Sequence, residues 1–378
     1  MTETKHKARS LILHIGHPKT GTTTLQYTLR DSAPLLLQQG VLYPRTPFFN
    51  NHKPIMPHFF GDPGEGDRLR QTMGASEEKV LSASKDAWDS IVSEVYTKKP
   101  ELIILSAEAF FSCGTRSGFD TFISALLGLA DHITVVAYLR DPASLYLSGR
   151  QQSAKNSARY NPPAAGWFRT ALEPYLTHPE IELKVHKFDR KELIGEDIIA
   201  DFSSRYMPSG VNDLLIRPAE DSNTSISAEA MALLELVRFQ NMPLSSVGAD
   251  HMKIKDFVKL VRRIDDALPG KTRMRFKPNC AAAIYDSRTD LEWVEQVFGI
   301  HFTRPNTDER TYIPNFDQFQ DTRDFCEVDE QRYAILVHAV STEIRRERSV
   351  AGYYGEFIRN IGRWRTRWDK QRRVKQKM

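Results

Sequence analysis

The chain has 378 residues, 40% of them hydrophobic and 26% charged, which is the balance of an ordinary globular protein long enough for one large α/β domain or two small ones. No apolar run approaches the roughly 20 residues a membrane-crossing helix needs. The formal net charge of +4 is uneven: residues 359–378 hold nine Lys or Arg and one Asp, leaving the other 358 residues net acidic at −4.

Residues 1–10 lead into an apolar run at 11–15 (LILHI). It reads as a first strand and is too short for the core of a signal peptide, so a cytoplasmic chain is expected. A helical pattern over 22–38 follows. Residues 44–75 carry five Pro and four Gly with little periodicity and are expected to form a long surface loop. Then come a helix over 77–97, a strand over 102–105 (LIIL), a helix over 118–130 and a strand over 133–139 (ITVVAYL). A helix over 142–157, a strand over 181–188 and a helix over 190–205 complete this part. The runs at 102–105 and 133–139 are nearly unbroken in apolar residues, as central strands buried on both sides should be. From residue 226 onward the pattern is helical, at 227–241, 251–267, 289–298 and 328–346.

Strand alternating with helix predicts an α/β fold in three layers, with a central parallel sheet, helices on both faces and a helical C-terminal part. Residues 1–310 are expected to form the main domain. Residues 311–378 are expected to be a helical extension ending in the basic tail 359–378. That tail, with Trp364 and Trp368, suits contact with anionic lipid at the inner membrane surface or with another polyanion, or is simply a solvated helix end. Outside the tail no aromatic-basic pattern points to specific nucleic-acid binding. The three cysteines, Cys113, Cys280 and Cys326, lie far apart in sequence and predict neither a disulfide framework nor a metal cluster.

The first strand ends in Gly16-His17-Pro18-Lys19-Thr20-Gly21-Thr22-Thr23. The glycine spacing, G-x-x-x-x-G, is that of a P-loop. Such a loop turns backbone N–H groups inward against a phosphate and adds the positive end of the following helix. A P-loop lysine follows the second glycine, however, and Thr22 stands there, with Lys19 three residues earlier at the crown. A second junction follows in ITVVAYLRDPASLYLSGRQ, residues 133–151. Arg140 stands at the carboxyl edge of a strand, where α/β sheets bind ligands. Pro142 opens a helix, and Ser148 lies eight residues beyond Arg140.

The loop PKTGTT and the Arg140/Ser148 pair together resemble the sulfotransferases that use 3′-phosphoadenosine-5′-phosphosulfate (PAPS) as donor. The likeness is nearest to bacterial sulfotransferase-like proteins, with kinship to the carbohydrate branch. It covers residues 10–205, with weaker echoes to about 305 in GVLYP, SAEAFF, FSSRY and NTSIS. The G-x-x-G-x-x-K motif of cytosolic small-molecule members is missing, since GYYGEFI at 352–358 has Ile in the lysine position. The resemblance implies a P-loop-like sulfotransferase domain over 1–310 that moves a sulfuryl group to a hydroxyl or amine of a carbohydrate or glycolipid-like acceptor. It assigns the donor to His17, Pro18, Lys19, Thr20, Gly21, Thr22 and Thr23 at the 5′-end, and to Arg140 and Ser148 at the 3′-phosphate. Lys19 would stabilise the leaving phosphate, and no metal is required.

The acceptor also needs a general base. Glu108, three residues past the strand at 102–105, is the first candidate, with a plain helix-start acid as the alternative. His52, in NNHKP within the long loop, is the second. Ser106 is a further group near the donor sulfate. The competing reading is an ATP- and Mg-dependent phosphotransferase in which Glu108 or Asp141 holds the metal.

Overall fold

The computed structural model describes residues 7–46, 49–61, 76–156, 162, 164–218, 225–241, 249–307, 314–315, 319 and 321–346. The expected domain boundary at 310, the tail 359–378 and residues 62–75 of the long loop lie outside them.

The chain divides into two units. The first comprises residues 1–145, 163–222 and 288–303, and the second comprises 146–162, 223–287 and 304–378. In the first, β1 (Ala8–His14) leads through the glycine loop into α1 (Thr22–Gln38), and β2 is the two-residue Val41–Leu42. Residues Lys53–Ile55 form one 3-10 turn, running into α2 (Met56–Phe60). The segment 44–75 is therefore not a featureless loop. Pro54 and Pro57 open these turns at positions where a missing N–H costs nothing. Then come α3 (Glu77–Lys98), β3 (Leu102–Ser106), α4 (Phe119–Leu127), β4 (Ala130–Leu139), α5 (Pro142–Asn156), α6 (Trp167–Leu176), β5 (Ile181–Lys187) and α7 (Ile198–Tyr206).

The five strands form one parallel sheet in the order β2-β3-β1-β4-β5. β1 sits at its centre, with His14 in register with Ser106 on one side and Val136 on the other. Alternation along the strands sorts the two faces. Ile12, Ile104, Val136 and Tyr138 pack under Leu25 and Leu29 of α1 and Ile198 and Phe202 of α7. The residues between them, Leu11, Leu13, Ile103, Leu105 and Val135, are also buried and cover the other face. The expected three-layer α/β fold with helices on both faces is what the chain adopts.

Two expected helices are shorter than their sequence patterns. The pattern over 118–130 stops at Leu127, because β4 begins three residues later. Over 190–205 only Ile198–Tyr206 is α-helical. Gly195 in the left-handed region and the Asp197 cap, which accepts from the Ala200 N–H at 2.8 Å, break what precedes it.

The second unit is helical, built from the C-terminal part of α5 and helices Ala228–Asn241, Ala249–Ala267, Cys280–Asp286, Thr322–Phe325 and Glu330–Arg346. Its core gathers Met231, Leu234, Val261, Ile284, Phe325 and Leu336. Arg332, buried there, donates to Asp265 at 2.8 Å, Glu229 at 3.0 Å and Ser227 at 2.9 Å, so the charge enters the core only with its partners. No helix among the described residues is long and apolar enough to cross a membrane.

Candidate active site

The loop between β1 and α1 turns through three left-handed residues: Gly16 (φ +60°), Lys19 (φ +73°) and Gly21 (φ +76°). Glycine is required at the first and third. A Cβ on Gly16 would meet Thr22 Oγ1 at 3.2 Å and Glu108 Cγ at 3.3 Å, and one on Gly21 would meet Ile198 Cγ2 at 3.1 Å. The buried Thr20 hydroxyl donates to the His17 carbonyl at 2.7 Å and closes the loop on itself. Gly21 offers no side-chain cap to α1, and the first turn of that helix has no acidic residue. Among the described residues, no backbone N–H from Gly16 to Thr24 donates to a protein acceptor. Unpartnered N–H groups at a helix start can hold an anion.

Lys19, Glu108 and Arg140 come to this loop from three segments. Arg140, past the end of β4, donates from Nη1 to the Lys19 carbonyl oxygen at 2.7 Å. Glu108 opens the 3-10 turn Glu108–Ser112 after β3 and faces Gly16 and Thr22 across the loop. Its side chain is open to solvent although protein lies close around the carboxyl. Burial raises the Glu108 carboxyl above its ordinary value, while Lys19, the Thr22 hydroxyl and Lys53 pull it back. Burial lowers Lys19 as well, opposed by Glu108 and reinforced by Arg140. Each charge thus sits where desolvation favours its neutral form and the other's presence favours ionisation.

His52 has a different place from the one its loop position implied. It is fully buried, its Nδ1 accepts from the Ser106 N–H at 2.9 Å, and its Nε2 lies 2.9 Å from the Pro44 carbonyl oxygen. This arrangement fixes the Nε2–H tautomer, which donates to Pro44. Burial lowers the imidazole to about 4. With both nitrogens committed to backbone, His52 pins the segment from Pro44 onto the end of β3 and leaves no lone pair for an acceptor proton. Ser106 is buried too: its hydroxyl lies 2.8 Å from His14 Nδ1 and accepts from Gln26 Nε2 at 3.1 Å. Gln26 Oε1 in turn takes a 3.3 Å bond from Asn51. This chain of polar groups ties β1, β3, α1 and residues 50–52 into one rigid floor.

His17 is fully buried within Phe111, Trp167 and Phe168, at centroid distances of 5.0, 4.9 and 5.2 Å. Burial, with Arg288 and Arg140 adding to it, holds the ring neutral. Pro18 is half-buried, Thr22 buried and Thr23 exposed on the first turn of α1. Ser148 is half-buried on α5, in the part of that helix belonging to the second unit. Asp141 caps the same helix, its Oδ1 accepting from the Ser144 N–H at 2.8 Å. Among the described residues no group of three or more His, Cys, Asp or Glu is placed to hold a metal.

No family model matches the chain. No curated protein matches it either. Among solved structures it is similar to the sulfotransferase domain from the curacin biosynthetic pathway. The TM-score is 0.31 and the sequence identity 12%, over 68% of this chain and 99% of that one. Those values leave the functional question to the site itself.

Three participants carried no sequence signal. Trp167 opens a short helix that Gly166 and the internal Pro174 disguise. Lys53 comes near Glu108 only because His52 is tied to Ser106. Gln26 is one polar residue in a helix and shows its purpose only through Ser106 and Asn51.

Proposed function

We propose that the protein is a PAPS-dependent sulfotransferase. The observation that carries this reading is the set of unpartnered backbone N–H groups at Gly16, His17 and Lys19 to Thr24, with Lys19 at the crown of the loop and Glu108 facing it. The donor supplies an activated sulfuryl group. The backbone N–H groups of Gly21 to Thr23 and the hydroxyls of Thr22 and Thr23 hold the 5′-phosphate, and Arg140 holds the 3′-phosphate.

Glu108 takes the proton from the acceptor oxygen as that oxygen bonds to sulfur. Lys19 holds its ammonium against the phosphate oxygen whose bond to sulfur breaks. The products are the sulfated acceptor and 3′,5′-ADP. Catalysis here is positioning and charge neutralisation, for which a lysine at the crown of the loop is better placed than one beyond the second glycine. The acceptor we assign is a hydroxyl or amine of a carbohydrate or glycolipid-like molecule.

Thermal-shift measurements with 3′,5′-ADP, 5′-AMP and ATP, each with and without Mg²⁺, test the donor. A ligand at 100 times its dissociation constant adds about 2.7 kcal/mol of stability. Stabilisation by 3′,5′-ADP without metal, and little by 5′-AMP, is expected. Stabilisation by ATP only with Mg²⁺ would make the protein a phosphotransferase instead, although Asp141 is already engaged as a helix cap.

A further inference from the structure

His17 is fully buried, and neither of its ring nitrogens has a hydrogen-bond partner among the described residues. A neutral imidazole carries one donor and one acceptor, and leaving both unmade is costly. A cage kept only for packing would hold an apolar ring at this position. The cage itself is asymmetric. Phe111 and Phe168 are fully buried, while Trp167, which opens α6, is half-buried and meets Phe111 edge-on at 5.1 Å. Behind them the Arg288 guanidinium lies 4.4 Å from the Phe168 ring centre and pairs with Asp290 at 2.8 Å, so the far wall is fixed.

The two segments that present His17 and Phe111 to Trp167 are those that carry the reacting groups. His17 stands two residues before Lys19, and Phe111 three residues after Glu108. Trp167 therefore packs against the loop that carries Lys19 and the turn that carries Glu108, through His17 and Phe111, and is itself half-buried. An accessible indole beside an unsatisfied polar group suits a ligand with an apolar face and a hydroxylated edge. A pyranose ring has both. We propose that Trp167 is the platform of the acceptor subsite, stacking one C–H face of a pyranose while His17 marks the side on which the ring's hydroxyls are received. This deepens the sulfotransferase reading and rests on it for the identity of the crevice.

The test is saturation-transfer NMR on the full chain with methyl β-glycosides of glucose, galactose and N-acetylglucosamine, with and without 3′,5′-ADP. Sorbitol serves as an open-chain polyol control. The glycosides should receive saturation mainly at the C–H protons of one ring face, and sorbitol should receive none. Trp167→Ala should weaken glycoside binding at least tenfold and Trp167→Phe should restore part of it, with 3′,5′-ADP affinity within twofold of wild type in both. His17→Phe should fold and still lower glycoside affinity.

Glycosides that bind Trp167→Ala as well as wild type, or bind neither, overturn the proposal. So does an equal loss of 3′,5′-ADP affinity in Trp167→Ala, which would make the cage structural. Failure of 3′,5′-ADP to bind wild type would sink the donor assignment instead, and the glycoside measurements would still decide the platform.

Discussion

Arg140 Nη1 donates a 2.7 Å hydrogen bond to the carbonyl oxygen of Lys19. One guanidinium N–H thus braces the crown of the loop from the neighbouring strand, and an arginine has four others to offer an anion. Replacement by lysine keeps the charge and loses the fork. Arg140→Lys is expected to weaken 3′,5′-ADP binding at least tenfold and 5′-AMP binding much less, measured by calorimetric titration. Equal losses for both nucleotides would show that Arg140 serves only as the brace.

Lys19 itself occupies the left-handed region at φ +73°. That conformation costs a residue with a Cβ about 1 kcal/mol, so backbone geometry alone does not favour lysine there. Lys19→Gly should leave stability to denaturant unchanged or raise it by up to about 1 kcal/mol. Sulfuryl transfer should fall by about 10³, the scale of losing a positioned charge at a leaving group. A large drop in denaturation midpoint would instead assign the side chain a structural part.

The same pair of charges sets the pH profile. In the proposed reaction Glu108 must be ionised to accept a proton, and its carboxyl is raised above its ordinary value by burial. Lys19 must be protonated, and burial lowers it. Turnover should therefore rise through a Glu108 value above the usual carboxylate range and fall through a Lys19 value below the usual lysine range, giving a bell. Glu108→Gln should abolish the acid limb and cost 10²- to 10⁴-fold, the scale of a lost general base. An unchanged acid limb in that variant would remove Glu108 from the proton path.

Stability should also depend on pH through the buried histidines. His52 is lowered to about 4 and His14 to about 3, from an ordinary 6.5. Below pH 6.5 the unfolded chain binds protons that the folded chain refuses. Their contribution is thus complete above 6.5 and is lost as pH falls toward 4 and 3. Each ring steepens the loss by up to about 1.4 kcal/mol per pH unit in that window. Urea titrations of His52→Gln should show lower stability at pH 7 and a shallower fall between pH 6.5 and 4. A slope equal to that of wild type would place the His52 ring in contact with water.

What could be read from sequence follows a physical division. The strands at 102–105 and 133–139 were legible because burial on both faces leaves an unbroken apolar run, and both lie inside the observed β3 and β4. The loop at 16–21 and Arg140 were legible because backbone geometry forces glycine and because strand ends aim residues at the crevice. β2 escaped as an element because two residues have no period. α6 escaped although Phe168, Ala171, Leu172 and Tyr175 repeat at i, i+3, i+4 and i+7, because Gly166 before it and Pro174 inside it read as breakers. His52 was misplaced for a deeper reason: whether a loop histidine faces water or backbone is decided by Pro44 and by Ser106, which lies 54 residues away. The cage around His17 likewise joins residues from three separate segments. Contacts of this kind leave no trace in spacing.

The central place of β1 in the sheet has a further consequence, for the order in which the molecule can be made. Lys19 and Arg140 are 121 positions apart along the chain and are neighbours only across β1 and β4. During synthesis the loop emerges long before its brace, and β3 emerges before β4. A nascent chain ending short of residue 140 has glycines poised for an anion and nothing to hold their crown. Anion binding at the loop should therefore coincide with β4 joining the sheet, since Arg140 follows that strand.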